Sequence, residues 1–251
     1  MKLISIIIPC HNEQSGIGYV LNDIPYAKLQ ELGYQAQVVV VDNRSTDKTA
    51  KIALSQGATV IFEKRLGKGN ALKAGFRYVK DTADYIVVID GDNTYKSQEI
   101  PRLIEPLESG FCDVVTGSRM GGKILRGSLT FSHRLVNWFF AFLVRSIYLA
   151  NITDTLTGFF AFRRDVLEKL IPYLQADDFA IEMEIITKLR RLGYSIYSVP
   201  ITYDRRQGKS KLHSIADGLK IALMMNRNLT WDPEGRTLAK RISKYIFELM
   251  F

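Results

Sequence analysis

Cysteine is nearly absent: Cys10 and Cys112 are the only two in 251 residues. Two cannot form a disulfide framework, and they point to a reducing compartment. Histidine is as scarce. His11, His133 and His213 are dispersed, with no metal-ligand spacing, so surface or packing roles are the default. Long apolar runs are missing too. LVNWFFAFLV (135–144), the most apolar run of the second half, is ten residues long and stops at Arg145. A spanning helix needs about 20. This run reads either as a buried core helix or as a helix at a lipid interface, and Trp138 between Arg134 and Arg145 fits the second. At the N-terminus only seven apolar or small residues separate Lys2 from Cys10. That is too short for a signal peptide, so it reads as a first strand. There is no internal repeat, low-complexity tract or linker-like stretch. Acid is missing locally: no Asp or Glu stands from Val114 to Thr153, whereas Arg119, Lys123, Arg126, Arg134 and Arg145 do.

What is present is an ordinary globular balance, 47% hydrophobic and 24% charged, with a net charge of +8. The positive charge suits an anionic partner: a nucleotide, a nucleic acid or an anionic lipid. No nucleic-acid-binding signature accompanies it.

Strand-like and helix-like segments alternate through the first half. LISIIIP (3–9), QVVVVD (37–42), TVIF (59–62), YIVVID (85–90) and DVVTGS (113–118) have the β-rich apolar pattern of buried strands. Helices are predicted over about 15–32, 45–57, 67–81 and 97–110. The alternation implies an α/β fold with a mostly parallel sheet and helices on both faces. Ligands on such sheets bind outside the carboxyl ends of the strands.

The polar residues of interest fall at those ends. Asp90 and Asp92 flank Gly91 in VVIDGDNTY (87–95). Two carboxylates with backbone freedom between them suit Mg²⁺ or Mn²⁺ carrying a diphosphate; the bland reading is a solvated turn. Asp42, followed by NRSTD, fits a base or ribose contact or a helix-capping turn. RLGKGNA (65–71) places Arg65, Lys68 and backbone N–H groups at a helix start, an anion site or a flexible loop.

PCHNE (9–13), VVVDNRSTDKT (39–49), GKGNAL (67–72), DGD (90–92), GSR (117–119), DTLTGFFAFRR (154–164) and GYSIYSVPITYDRRQGKSKL (193–212) occur in that order. Together they resemble a family 2 glycosyltransferase of the GT-A (Rossmann-like) fold, and within it the dolichol-phosphate mannose synthases and related polyprenyl-phosphate hexosyltransferases. The resemblance covers residues 3–212. It implies a nucleotide site at Pro9, His11, Glu13, Asp42, Lys68, Asp90 and Gly91, with Asp90 and Asp92 as metal ligands for Mg²⁺ or Mn²⁺. It implies catalytic roles for Asp92, Arg119, Arg134 and Arg205. On the acceptor side it implies Arg119, Arg134, Asn137, Ser210 and Lys211, with Arg134 chosen from SHRLVN (132–137). The chain departs from the synthases after Asp92, where Asn93 and Thr94 stand in place of the usual Leu-Gln.

A lipid phosphate is already anionic and needs no general base, whereas a sugar hydroxyl usually does. The acid-free stretch favours phosphate over a merely solubilising basic surface. The candidate base for a hydroxyl acceptor is Asp178 or Glu182 in DDFAIEME (177–184), where a capping or orienting role is the alternative. The implied reaction is inverting, metal-dependent hexose transfer from a nucleotide-diphosphate sugar to polyprenyl (dolichyl) phosphate. The rivals are transfer to a glycan or lipid-linked sugar hydroxyl, and a basic membrane- or nucleic-acid-binding module without activity.

Residues 1–212 read as the catalytic domain and 213–251 as a helical extension. In TLAKRISKYIFELMF (237–251) the apolar residues share one helical face and the basic ones the other. The expected location is cytoplasmic, peripheral at the cytosolic face of a membrane. A membrane-anchoring subunit, or further chain after Phe251, would serve the same end.

Overall fold

The computed structural model describes residues 1–208 and 214–233. The chain order is β1 (Lys2–Cys10), α1 (Ile17–Asn22), α2 (Tyr26–Glu31), β2 (Tyr34–Asp42), α3 (Thr49–Ser55), β3 (Thr59–Phe62), α4 (Lys68–Val79), β4 (Tyr85–Val88), α5 (Ile100–Glu108) and β5 (Val114–Ile124). There follow α6 (Phe131–Tyr148), β6 (Phe160–Arg163), α7 (Arg164–Leu170), α8 (Ile181–Leu192), β7 (Ile196–Tyr203) and α9 (Ser214–Arg227).

The strands form one sheet in the order β3-β2-β1-β4-β6-β5-β7. All neighbours are parallel except β6, which runs antiparallel to β4 and β5. The near-continuous apolar runs follow from burial on both faces. Ile4, Ile6 and Ile8 of β1 enter one core with Val38 and Val40 of β2, while Ile7 enters the other with Val39 and Val41. The first core is covered by α1 and α5 through Ile17, Val20, Leu103 and Ile104. The second is covered by α4 and α8 through Leu72, Phe76, Ile185 and Leu189. The result is three layers, helix–sheet–helix.

The helix predicted over 15–32 is two helices, because Pro25 caps α2 and its ring cannot continue α1. The strand predicted to Asp90 ends at Val88, and the chain then turns at Gly91–Asp92. Segment 135–144 is part of α6, which puts one side into the core and leaves the other exposed. Asn137, Phe140, Ala141 and Val144 of α6 are buried, whereas Phe131, Leu135, Trp138 and Phe142 face outward. Among the described residues no helix is long and apolar enough to cross a membrane. The start of the proposed extension joins the core: Ile221 and Met225 of α9 pack into it, and the Tyr148 hydroxyl donates to the Met225 carbonyl. The amphipathic stretch 237–251 lies outside the described residues.

Candidate active site

The carboxyl ends of β1, β2 and β4 meet along one rim, with Cys10 opposite Asp42 in register. Over this rim opens a cavity of about 580 Å³ lined by Pro9, His11, Glu13, Asn43, Lys68, Asp90, Gly91, Asp92, Asp178, Phe179, Arg206 and Asp217. The loops that supply these side chains are fixed by the backbone. Gly91 packs so tightly that a Cβ there would lie 2.6 Å from Cys10 Sγ. The amide of Glu13 donates to Thr49 Oγ1 at 2.8 Å, which ties the end of β1 to α3.

Each carboxylate of the Asp-Gly-Asp turn has its own cation. Lys68 Nζ bridges Asp90 Oδ1 and Glu182 Oε1, both at 2.7 Å. An Arg206 terminal nitrogen sits 2.6 Å from Asp92 Oδ2, and the other lies 3.9 Å from Glu13. Thr94 donates its amide (3.0 Å) and hydroxyl (2.6 Å) to Asp92 Oδ1. Burial disfavours charge on Lys68, but Asp90 and Glu182 outweigh it and raise its pKa. Burial pushes the Glu182 carboxyl up, with Lys68 opposing. At Asp178 burial also favours the neutral acid, but Lys220 at 2.7 Å and the Ala180 amide prevail and lower its pKa.

Several residues singled out in the sequence fall elsewhere. Asp42 is buried and accepts from the Ser45 amide at 3.0 Å; its neighbour Asn43 lines the cavity instead. The loop 65–71 is not an open anion nest. Gly67 N–H donates to Asn43 Oδ1, Asn70 N–H to the Asp177 carbonyl, and Arg65 turns out to Glu63. Arg119 is not a free acceptor-side cation. It is buried and pairs with Asp154 through Nε at 2.7 Å and a terminal nitrogen at 2.8 Å. Asn137 is a buried brace whose Oδ1 accepts from Thr155 N, Thr155 Oγ1 and Leu156 N. Arg134 lies on α6 at a separate outer groove with Arg145, Trp138 and Phe142. Arg205 is exposed and donates to the Arg126 carbonyl at 2.9 Å. Ser210 and Lys211 lie outside the described residues.

Among the described residues, the arginine that lines the cavity is Arg206. The sequence shows two adjacent arginines after a strand, and neighbours on extended backbone point to opposite sides. Nothing in the sequence says which one faces in. Gly158 was missed because its importance is purely steric: a Cβ there would meet Asp90 Oδ2 at 2.3 Å.

The donor set fits a hard divalent cation. Asp90 and Asp92 offer carboxylate oxygens, and Mg²⁺ and Mn²⁺ prefer oxygen, with substrate phosphates and water completing the shell. No group of three or more His, Cys, Asp or Glu stands ready to hold a metal among the described residues, so the remaining ligands would come from the diphosphate.

The model of glycosyl transferase family 2 matches residues 5–171, and the residues at the strand ends just described fall within that span. The chain belongs to glycosyl transferase family 2. This family 2 glycosyltransferase is 35% identical over 216 residues to the low-salt glycan biosynthesis hexosyltransferase Agl6 of Haloferax volcanii, covering 86% of this chain and 51% of that protein. It therefore spans about half the length of that relative. It is 32% identical over 220 residues to a dolichyl-phosphate hexose transferase of the same organism, covering 87% and 90%. It is 29% identical over 217 residues to an undecaprenyl-phosphate mannosyltransferase of Micrococcus luteus, covering 82% and 86%. Glucosyl-3-phosphoglycerate synthase from Mycobacterium tuberculosis, crystallised with Mn²⁺, UDP-glucose and phosphoglyceric acid, shares the fold with a TM-score of 0.71 at 22% identity, covering 94% and 83%.

Proposed function

We propose that this glycosyltransferase moves a hexose from a nucleotide-diphosphate sugar to polyprenyl phosphate, with inversion, using Mg²⁺ or Mn²⁺ held by Asp90 and Asp92. The paired carboxylates of Asp90 and Asp92 in the cavity carry the reading. Lys68 on Asp90 is already shared with Glu182. A diphosphate brought against these two carboxylates is repelled by them, and a divalent cation between them removes that repulsion. The bound ion would supply Lewis-acid stabilisation of the charge that builds on the leaving diphosphate.

Asp178 supports a phosphate acceptor by its unsuitability as a base. A base working near neutral pH needs a pKa near 7, and Asp178 is held low by Lys220 while it accepts from the Ala180 amide just ahead of α8. Glu182 is committed to Lys68. A phosphate monoester has no need of either. Two of the relatives carry names that specify polyprenyl-linked acceptors, which supports the same substrate class.

The outer face of α6 supports attachment to a membrane surface, and we place that attachment on the cytosolic side. Its groove of about 940 Å³ is lined by Phe131, Leu135, Trp138 and Phe142 with Arg134 and Arg145. The two arginines are eleven residues apart, about three turns, and so share a helix side. Apolar side chains between cations on one side suit an interfacial helix.

The experiment that tests the donor half is calorimetric binding of UDP and GDP with and without Mn²⁺. Binding that needs Mn²⁺ and is lost in Asp92→Asn supports the reading. Equal binding in EDTA contradicts it.

A further inference from the structure

We propose that Arg206 is an internal stand-in for the metal at Asp92. The guanidinium and a divalent ion exclude each other there, and arrival of the ion hands Arg206 to the diphosphate. The inference rests on the metal reading of Asp90 and Asp92.

Both oxygens of Asp92 are committed. Thr94 holds Oδ1 through two hydrogen bonds, and Arg206 holds Oδ2 at 2.6 Å. A divalent ion that reaches this carboxylate meets the guanidinium already on it. Cations within about 4 Å of each other repel strongly in a partly buried site, so one must leave. The geometry says which. Asp92 is 2% exposed, whereas the Arg206 side chain is 31% exposed and its second contact, Glu13, is distant at 3.9 Å.

Lys68 is different. Its side chain is only 12% exposed and has a second firm anchor on α8, Glu182 at 2.7 Å, so it can stay beside Asp90. The backbone on either side of Arg206 is pinned to the Asp92 loop. Asp204 N–H donates to the Thr94 carbonyl at 2.8 Å, and Gln207 N–H to the Asp92 carbonyl at 2.9 Å. The exchange is therefore a swing of one side chain, with no opening of the segment. A guanidinium released beside the ion has an obvious new partner, since it binds diphosphate oxygens through parallel hydrogen bonds.

The consequence is a coupling of opposite sign for two ligands. Arg206 weakens binding of the bare metal and strengthens binding of the metal–diphosphate pair. A residue that only braces the loop would not reverse sign between them.

The test titrates Mn²⁺, followed by the electron paramagnetic resonance of the free ion, into wild type, Arg206→Met, Arg206→Gln, Arg206→Lys and Asp92→Asn, alone and with UDP or GDP. Arg206→Met is expected to bind Mn²⁺ alone about tenfold more tightly, the scale of one charge-assisted contact. Arg206→Gln, which keeps a donor for Asp92, should show a smaller gain, and Arg206→Lys should stay near wild type. With nucleotide present, Arg206→Met should bind the Mn²⁺–nucleotide pair about tenfold more weakly. Unchanged or weaker binding of Mn²⁺ alone by both Arg206→Met and Arg206→Gln overturns the exchange. If Asp92→Asn meanwhile abolishes Mn²⁺ binding, the metal reading survives without it. Mn²⁺ affinity indifferent to Asp92→Asn, or no Mn²⁺ binding by any of the proteins, overturns both.

Discussion

Gly158 stands directly behind the carboxylate of Asp90: a methyl group at Gly158 would lie 2.3 Å from Asp90 Oδ2 and 2.6 Å from its Cγ. The Gly158 amide donates to the buried Tyr95 hydroxyl at 2.9 Å, so the backbone cannot retreat freely. Gly158→Ala should therefore push Asp90 off its position while leaving the cores intact. We expect kcat and Mn²⁺ affinity to fall about tenfold or more, as misplacement of a catalytic group can, with a Tm loss of only a few degrees. A variant with normal turnover would show that Asp90 tolerates displacement.

Arg119 and Asp154 form a buried bidentate pair, and Asp154 is fully buried. Removing one partner of such a pair costs about 3–5 kcal/mol because the other charge is left buried and unpaired. Asp154→Asn and Arg119→Met should each destabilise strongly, and the double variant should lose less than the two losses added together. Urea denaturation of the four proteins reads this. Additive losses would mean that the pair is not coupled.

Asn137 holds the segment between Arg119's partner and Gly158 by accepting three hydrogen bonds from Thr155 and Leu156. Asn137→Leu should cost about 1–3 kcal/mol, the usual penalty for orphaned buried donors. Denaturation of wild type and variant measures it, and an unchanged midpoint would contradict the bracing role.

Lys68 and Glu182 give a pH signature. Burial raises the Glu182 carboxyl above its ordinary value, and Lys68 opposes the rise. A carboxyl raised on folding takes up a proton. It penalises the fold increasingly as pH climbs from its unfolded value, about 4.3, through its folded one. In Lys68→Met the opposition is gone, so the penalty grows. The Tm deficit of Lys68→Met relative to wild type should widen between pH 5 and pH 8. A deficit independent of pH would mean that Glu182 is not sensitive to Lys68.

The sheet was legible because its central strands are buried on both faces, so β1, β2 and β4 carry the unbroken apolar runs III, VVVV and IVV. β6 was not: at four residues, FAFR, it sits inside a stretch with no alternation, and its antiparallel direction comes from tertiary packing. Glu13, Lys68, Asp90 and Asp92 could be grouped from the sequence because they stand at strand and helix ends that topology brings together, and they line one cavity. Arg119 misled because its partner, Asp154, is the first acid beyond the acid-free stretch and is distant along the chain. Basic residues counted along a sequence do not reveal which carboxylate each one already serves. Asp42 was left between two readings, and the structure shows the turn: one residue's step at the end of β2 decides whether a side chain closes the turn or, like Asn43, lines the cavity.

The outer face of α6 makes a separate expectation. Trp138→Ser with Phe142→Ser should weaken sedimentation with anionic liposomes several-fold, while Mn²⁺–nucleotide binding stays at the wild-type level. Both rings are more than half exposed, at 62% and 53%, so the fold has little to lose. Undiminished liposome binding would assign attachment to another surface.

The acceptor decides the account. Radiolabelled hexose transfer, with Mn²⁺, from a panel of nucleotide sugars should be measured to polyprenyl phosphate and to the polyprenol of the same chain length, for wild type and Asp178→Asn. We predict transfer to the phosphate and none to the alcohol, with Asp178→Asn retaining most of the rate, since an anionic nucleophile gives up no proton. Transfer to the alcohol or to a glycan hydroxyl, abolished in Asp178→Asn, would contradict it.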